Sequence, residues 1–359
     1  MAGIRIAIAG IGNCASSLVQ GLQYYKDIGN SDELVSGLMH NSVSGYLVSD
    51  IKPVAAFDVD SRKVGKDLSE AIFSGLNCTP KFCDVPFQDV EVMPGPIYDS
   101  LDGNLKEAIP IDEEKEPADV AKILKESRVD ILLNYLPVGS EIASKWYAEQ
   151  AIEANCGFIN CIPVFIASDS IWAKKFEDAG LPIIGDDVAS QVGASIVHKT
   201  LANLLVNRGC KIISTYQTNS GGNADFLNLS TGGSRLASKV ESKTEVVRKM
   251  FSTDDVPITV IPSNYIPHLG DNKVMYLQML GEIFGNIPIT IDLKLSVIDS
   301  PNSAGVVIDA IRCAKLAFDR GLKGPIIAPS AYFFKHPPQT MSPFDAKNAL
   351  EKFINNSQS

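Results

Sequence analysis

The sequence RIAIAGIGNCASSLVQGL, residues 5–22, decides the fold class of this chain. An apolar segment runs directly into a Gly-x-Gly-x-x-Ala pattern, and a helix-favouring segment follows it. Gly10 permits the tight turn, Gly12 lets the backbone approach a pyrophosphate, and Ala15 lets the helix pack closely on the strand. The helix N-terminus offers free N–H groups and partial positive charge to phosphates. The pattern predicts a dinucleotide site, against the alternative of an ordinary turn between a strand and a helix. The residues predicted to contact the cofactor here are Gly10, Gly12, Asn13, Cys14 and Ala15.

Length and composition indicate a globular protein of two domains. The chain has 359 residues, 45% of them hydrophobic and 21% charged, and this length exceeds what one hydrophobic core usually serves. The formal net charge of −10 argues against a nucleic-acid partner and against an acidic membrane surface. The seven cysteines include no Cys-x-x-Cys pair, which is typical of reduced thiols rather than of disulfides or a zinc site. Since no signal sequence or apolar run of bilayer length is visible, we expect a cytoplasmic protein.

Strand and helix patterns alternate through the first half of the chain, which predicts a Rossmann-type, doubly wound parallel sheet. Buried strands are expected at residues 54–57, 129–135, 157–160 and 181–184. A helix is expected within residues 64–73, and residues 78–116 are expected to be an irregular surface excursion.

An acidic residue follows the second predicted strand. Asp58 stands where this fold class hydrogen-bonds the adenosine ribose. Its distance from the glycines is longer than usual, because residues 27–50 intervene. Asp60 and Asp67 therefore remain competitors for this role, and a helix N-cap remains the structural alternative.

A second, mostly antiparallel domain is predicted after residue 200. From residue 289 to residue 297 apolar and polar side chains alternate strictly, and this period of two indicates a strand with one buried face. Residues 274–284 form its expected partner, joined across Gly285-Asn286. Such a face needs helices or a second subunit against it. We predict a dinucleotide-binding domain of residues 1–200 plus 302–359, with an inserted α+β domain of residues 201–301 for catalysis and oligomerisation.

Adjacent carboxylates mark a second candidate site. Asp186 and Asp187 follow an apolar strand, and they could hold a ribose, a cation or a substrate hydroxyl. The alternative is helix capping by Asp187. Asp299 begins a polar segment that could face the cofactor from the opposite side. No histidine or cysteine cluster has transition-metal spacing, so only a hard cation of unknown identity remains possible.

Two lysines stand four residues apart in the second domain. Lys239 and Lys243 would share one face of a helix. Like charges so placed disfavour each other, so one amine could be neutral and act as a base while the other binds phosphate. The alternative is a solvated surface stripe. Lys273 and Lys335 carry no signal alone, although Lys335 follows four apolar or aromatic residues.

Five segments, in this order, resemble the bacterial form of the myo-inositol-1-phosphate synthase family, and the resemblance covers nearly the whole chain. They are GIGNCASSL at residues 10–18, GDDVASQVG at 185–193, GGNADFLN at 221–228, SKVESK at 238–243 and DSPNSAG at 299–305.

The resemblance implies an NAD-dependent isomerase that cyclises D-glucose 6-phosphate to 1L-myo-inositol 1-phosphate. It places Lys239 beside the C5 hydroxyl and nicotinamide, and Lys335 at the oxyanions of enolisation and ring closure. Lys243 and Lys273 would hold phosphate and assist proton transfer. A homotetramer built through the sheet of the second domain is also implied. The further pocket residues are Asp187, Ser190, Asp225 and Asp299, with Tyr147 and Asp67 as additional cofactor contacts.

Two other functions remain open at this stage. A conventional NAD-dependent dehydrogenase of a small phosphorylated or hydroxylated substrate would release NADH. A non-catalytic dinucleotide-binding regulator would keep the glycines without needing the lysines. Replacement of Lys239 separates these classes, because only an enzyme should lose turnover.

Overall fold

A parallel sheet forms the frame of the molecule, seen in a computed structural model that describes residues 3–31, 33–230 and 256–355. Its seven strands lie in the order β11-β6-β5-β4-β1-β2-β3. This order reverses direction between β1 and β4, where open α/β sheets leave a crevice for ligands. The strands are β1 Ile4–Ala9, β2 Ile51–Asp58, β3 Val92–Pro94, β4 Ile131–Asn134, β5 Gly157–Asn160, β6 Pro182–Ile184 and β11 Gly324–Pro325.

Helices cover both faces of this sheet, because its strands are apolar on both sides. Ile6 and Ile8 of β1 point into one core, and Ala7 and Ala9 point into the other. The predicted doubly wound α/β fold is therefore confirmed. The helices around this sheet are α1 Asn13–Tyr24, α2 Leu68–Ala71, α3 Gly103–Ala108, α4 Val120–Glu126, α5 Glu141–Glu153, α6 Ser170–Ala179, α9 Asp299–Asp319, α10 Ile327–Phe333 and α11 Pro343–Asn355.

A second sheet of four strands is inserted in the chain between β6 and α9. Its order is β10-β9-β7-β8, antiparallel except for the parallel pair β7-β8. The predicted mostly antiparallel sheet is thus confirmed, and its β9–β10 connection contains Gly285 at φ +74°. Its elements are α7 Ala194–Asn207, β7 Lys211–Gly221, α8 Ala224–Leu229, β8 Ile258–Tyr265, β9 Asn272–Ile283 and β10 Ile287–Ile298.

Among the described residues, helix α7 covers one face of the second sheet. Met275, Leu277 and Met279 of β9 pack with α7 in a small core. On β10 the alternating apolar side chains reach only half-burial. The other face exposes large side chains, among them Tyr276 and Leu280 of β9.

The structure corrects two expectations about the region after β2. The helix expected within residues 64–73 is a single turn of four residues, α2, because a turn occupies residues 61–65. Residues 78–116 are more ordered than an irregular excursion, since β3 forms the edge of the parallel sheet and α3 follows it. Three residues ending in Pro94 are too few to show a strand period.

None of the helices within the described ranges has the length and apolarity needed to cross a membrane. The division into domains at residues 200 and 301 stays a prediction. In the structure, α7 begins at residue 194, before the predicted boundary, and packs against β7 of the second sheet.

Candidate active site

The glycine turn after β1 has the geometry that the sequence pattern requires. Gly10 has φ +92°, and a Cβ there would lie 2.6 Å from the Tyr135 carbonyl oxygen, so only glycine fits. A Cβ on Gly12 would meet nothing within 4 Å, which leaves the backbone open to a ligand. Ala15 is fully buried. The turn therefore offers an open cradle at the start of α1.

The N-terminus of α1 keeps its anion-binding character. Gly12 is the N-cap residue and supplies no side-chain cap. The side chain of the next residue, Asn13, is engaged elsewhere, because its oxygen accepts hydrogen bonds from the backbone N–H groups of Cys78 at 2.8 Å and Thr79 at 3.2 Å. Asn13 thus ties residues 78–79 to the turn, and the free helix dipole faces the cavity described below.

Asp58 ends β2 beside this turn. Its carboxylate accepts a hydrogen bond from the Ile11 N–H at 2.7 Å, and the Lys63 ammonium lies 3.8 Å away. Asp60 is buried and engaged in an ion pair with Arg62 at 2.7 Å. Asp58 is therefore the acid that the structure presents at the glycine turn.

Asp67 lies outside this group. Its carboxylate caps α2 through the Ser69 N–H at 2.9 Å and also accepts the backbone N–H groups of Gln88 and Val90. Burial raises the pKa of Asp67, but its hydrogen bonds lower the pKa by more, so it lies below the ordinary value. The residue does not line the cavity, so its role here is to fix the 88–90 segment.

One cavity of about 670 Å³ joins the glycine turn to the second sheet. It opens at the carboxyl ends of the parallel strands and reaches α7, α8 and β9. Nearly all predicted site residues that the structure describes meet in its wall, although they are far apart in sequence. They are Gly10, Gly12, Asn13, Cys14, Ala15, Asp58, Tyr147, Asp187, Ser190, Asp225, Lys273, Asp299 and Lys335.

The adjacent carboxylates after β6 have separate roles. Asp186 is fully buried away from the cavity, and its oxygens accept hydrogen bonds from Asn160 at 2.7 Å and Ser168 at 2.8 Å. Burial raises its pKa in spite of these bonds. Asp187 instead lines the cavity and binds the Lys335 ammonium at 2.7 Å. It caps no helix, since Gly193 is the N-cap of α7.

A second lysine–carboxylate pair lies in the same wall. The Lys273 ammonium donates to both oxygens of Asp299, at 3.0 and 3.1 Å. Burial lowers the pKa of Lys273, but Asp299 and Asp225 raise it by more, so it lies above the ordinary value. Lys273 therefore stays protonated, and it can supply positive charge but not act as a base at neutral pH.

A buried acid supports this second pair from behind. Asp271 accepts hydrogen bonds from the Ser300 hydroxyl at 2.8 Å and from the Asn223 amide at 3.0 Å. Its carbonyl also accepts the Asp299 N–H at 2.9 Å. Burial raises its pKa, and the hydrogen bonds offset this only in part. Asp271 thus joins the ends of β7, β9 and α9 at the cavity.

The remaining predicted lysines, Lys239 and Lys243, lie outside the described residues. The proposed sharing of one helix face by this pair stays a prediction.

Sequence reasoning missed a lysine on α7. Lys199 lines the cavity one turn after Ser195, which also lines it. Their spacing of four residues was the available signal, but it identifies a shared face only once the helix is known to meet the cavity. Lys63 was missed as well, and its ammonium donates to the Ile11 carbonyl at 2.8 Å.

The cysteine of the glycine turn contributes no nucleophile. Burial, followed by the charges of Asp299 and Asp271, raises the pKa of Cys14 to about 12. The thiol is thus protonated at neutral pH and is a poor nucleophile. Among the described residues, no group of three or more histidine, cysteine or acidic side chains could hold a metal ion.

The arrangement combines an open glycine turn with fixed positive charges. The two lysine–carboxylate pairs can stabilise negative charge that develops on a substrate enclosed between them. The N-terminus of α7, capped by Gly193 without a side-chain bond, adds a second place for an anion in the same cavity.

Known proteins share both the sequence and the fold. The family model for myo-inositol-1-phosphate synthase matches residues 193–300. Inositol-3-phosphate synthase of Mycolicibacterium smegmatis is 52% identical, over 98% of each chain. The enzyme of the same name from Corynebacterium glutamicum is 47% identical, also over 98% of each chain. A myo-inositol-1-phosphate synthase-related protein from Thermotoga maritima shares the fold, with a TM-score of 0.78, 24% identity and coverage of 98% of both chains.

Proposed function

Because this chain belongs to the inositol-3-phosphate synthase family, we propose that it cyclises D-glucose 6-phosphate to 1L-myo-inositol 1-phosphate with NAD as a catalytic cofactor. The observation that carries the proposal is the single cavity, which joins the glycine turn to the pairs Asp187–Lys335 and Lys273–Asp299. The cavity thereby combines a candidate cofactor site with fixed charges that suit a phosphorylated substrate undergoing enolisation.

The residues around the glycine turn fit a dinucleotide. Gly12 leaves open space for a pyrophosphate at the α1 N-terminus, and Asp58 stands where the adenosine ribose binds in this fold class. Tyr147 and Ser100, both nearly fully buried, also line the cavity. When bound, NAD supplies the capacity to accept a hydride from C5 and to return it. The residues that would hold it are Gly10, Gly12, Asn13, Cys14, Ala15, Asp58 and Tyr147, with Ser190, Asp225 and Lys239 as further contacts.

The lysines would stabilise the negative charge that develops on the substrate during the reaction. Oxidation at C5 makes the C6 proton acidic, and its removal leaves an enolate whose oxygen needs a positive partner. Lys335, held by Asp187, would supply this charge and later stabilise the alkoxide of ring closure. Lys239 would exchange the proton of the C5 hydroxyl, as implied by the family resemblance.

The phosphate needs a separate anion site. The N-terminus of α7, with Ser190 before it and Lys199 one turn into the helix, forms one wall of the cavity. Helix N-termini attract phosphates through their N–H groups and dipole. We place the phosphate between this wall and Lys273, with Lys243 as a further contact. A protonated Lys273 suits this position better than that of a base.

Assembly and location are part of the proposal. A homotetramer formed through the second sheet would cover the exposed face that carries Tyr276 and Leu280. All seven cysteines are unpaired, which fits a reducing cytoplasm.

The decisive experiment incubates the purified protein with glucose 6-phosphate and NAD⁺. We expect inositol 1-phosphate to accumulate while absorbance at the NADH band stays at baseline, because the hydride taken from C5 is returned. Stoichiometric NADH release would instead identify a dehydrogenase. Loss of turnover in Lys239→Ala, with NAD binding retained, would exclude a non-catalytic regulator.

A further inference from the structure

A short segment between α1 and β2 forms part of the cavity wall. Met39 lines the cavity and is half-buried there. The segment of residues 37–41, called the strap below, belongs to the insertion that lengthens the spacing between the glycines and Asp58.

Buried charges on α9 hold one end of the strap. Arg312 is fully buried and donates to the carbonyl oxygens of His40 at 2.8 Å and Asn41 at 3.1 Å. Asp309, also fully buried, binds both the Arg312 guanidinium and the His40 ring. Glu351 of α11 lies 3.2 Å from the other ring nitrogen of His40. The strap is thereby fixed to the helix that carries Asp299.

The other end of the strap holds the loop before α7. The Gln191 side-chain amide donates to the Gly37 carbonyl at 2.9 Å. Asn302 of α9 holds the same loop, because it accepts the Gln191 N–H at its carbonyl and the Val192 N–H at its side chain, both at 2.9 Å. The Gln191 loop is therefore clamped between the strap and α9.

A glycine of α9 leaves room for this clamp. A Cβ on Gly305 would lie 2.5 Å from the Gln191 side-chain amide group. Since Gly305 lies in a helix interior, where alanine is otherwise the better residue, an alanine there would displace the glutamine amide and leave the helix itself sound.

We propose that Gln191 is a positioning residue that, through its hydrogen bond to the strap, holds the Ser190–Gly193 turn and with it the N-terminus of α7 as the phosphate subsite. The inference rests on the proposed function, which places the substrate phosphate at that helix end. Gln191 lines the cavity together with Ser190 and Gly193. Because its side-chain amide donates to the Gly37 carbonyl, it acts on the anion through the backbone that it fixes.

The test is a double-mutant cycle with a matched control. Gln191→Ala removes the hydrogen bond, and Gly305→Ala displaces the same amide. Each should raise the KM for glucose 6-phosphate and the inhibition constant of inorganic phosphate by roughly three- to tenfold, as loss of one hydrogen bond does, with kcat nearly unchanged. The double variant should be no worse than Gln191→Ala, because both changes remove one interaction. Gln88→Ala is the control. The Gln88 side chain donates to the Pro86 carbonyl at 2.7 Å, and Gln88 does not line the cavity.

The outcomes separate this inference from the proposed function. Unchanged KM and phosphate inhibition in both single variants of an active enzyme would overturn the inference. Additive effects in the double variant would also overturn it. So would a fall in kcat that is accompanied by a fall in melting temperature, because this would indicate general damage to the fold. If the wild-type protein does not cyclise glucose 6-phosphate, the proposed function fails. In that case calorimetric titration with inorganic phosphate tests the inference about Gln191 by itself. The inference requires that Gln191→Ala binds phosphate more weakly than the wild-type protein does.

Discussion

Two lysine–carboxylate pairs with different surroundings face the cavity. Lys273 is held by both oxygens of Asp299, and its pKa is raised. Lys335 instead donates to a single oxygen of Asp187, at 2.7 Å. An ammonium with free N–H donors can hydrogen-bond to a new oxyanion. An ammonium that already donates to both oxygens of a carboxylate contributes mainly through its electrostatic field.

Lys335→Met should therefore abolish turnover more than binding. We expect kcat to fall roughly 100-fold or more, as on loss of one oxyanion donor, while calorimetry still shows glucose 6-phosphate binding. Lys174→Met is the matched control, since Lys174 forms an exposed ion pair with Asp178 at 2.8 Å. A variant at residue 335 with near-normal kcat would show that this ammonium does not meet the oxyanion.

His40 should give the protein a pH-dependent stability. Burial lowers its pKa, but the hydrogen bond and charge of Asp309, followed by those of Glu351, raise it above the ordinary value. Arg312 also faces this cluster, and the pKa of nearby Tyr332 is raised by burial, Glu351 and Asp309. A raised pKa contributes stability that is fully present below the unfolded value near 6.5 and is lost as pH rises through the folded value.

The measurement is the melting temperature of wild type and His40→Gln from pH 5.5 to 9. The difference between the two should be largest at the acidic end and shrink as pH rises. His268→Gln, at an exposed position, should show no such trend. A difference that stays constant across the range would mean that protonation of His40 does not stabilise the fold.

At the scale of the elements, the β1–α1 turn separates folding from binding. At Gly10 both the φ of +92° and the Tyr135 carbonyl exclude a side chain, but at Gly12 the space is open. Two glycines of one motif therefore serve different ends, and single substitutions should distinguish them.

Gly10→Ala should destabilise the fold by at least about 1 kcal/mol, because the side chain is strained and meets backbone. Gly12→Val should leave the melting temperature nearly unchanged and abolish NAD binding, because its side chain fills the pyrophosphate space. Thermal melts with and without NAD check both. Intact NAD affinity in a folded Gly12→Val protein would place the pyrophosphate elsewhere.

For the whole molecule, one face of the second sheet is exposed in the part of the chain that the structure describes. Tyr276 and Leu280, 48% and 37% exposed, share this face with Tyr216, 43% exposed. Burying such side chains is favourable by about 25 cal/mol per Å² of apolar surface. The sheet is therefore the natural interface for the proposed tetramer.

Sedimentation velocity should show a species of four times the 38.7 kDa chain mass. The double variant Tyr276→Glu, Leu280→Glu should dissociate it, because charges would be buried without partners. Ile171→Glu changes an exposed residue of α6, a helix of the seven-stranded sheet, and should leave the mass unchanged. A tetramer that survives the double variant would show that this face is not the interface.

The sequence alone determined two of the local elements that build the site and the second sheet, but not the short α2 or the elements β3 and α3. The glycine pattern fixed a strand, turn and helix, because close packing and phosphate approach admit few residue types, and the alternation at residues 289–297 fixed β10. The family resemblance then brought Lys273, Asp299 and Lys335 into one site before any contact was visible.

Tertiary structure decided which side chains meet. Asp67 and Asp58 look alike in sequence, yet one caps α2 and the other reaches the glycine turn, because hydrogen bonds to distant backbone segments set their surroundings. Asp186 and Asp187 are neighbours, but one is buried and the other pairs with Lys335, 148 residues away. Lys199 and the Gln191–Gly37 contact could not be predicted, since a helix face or a loop acquires its partner only when the two sheets enclose a common cavity.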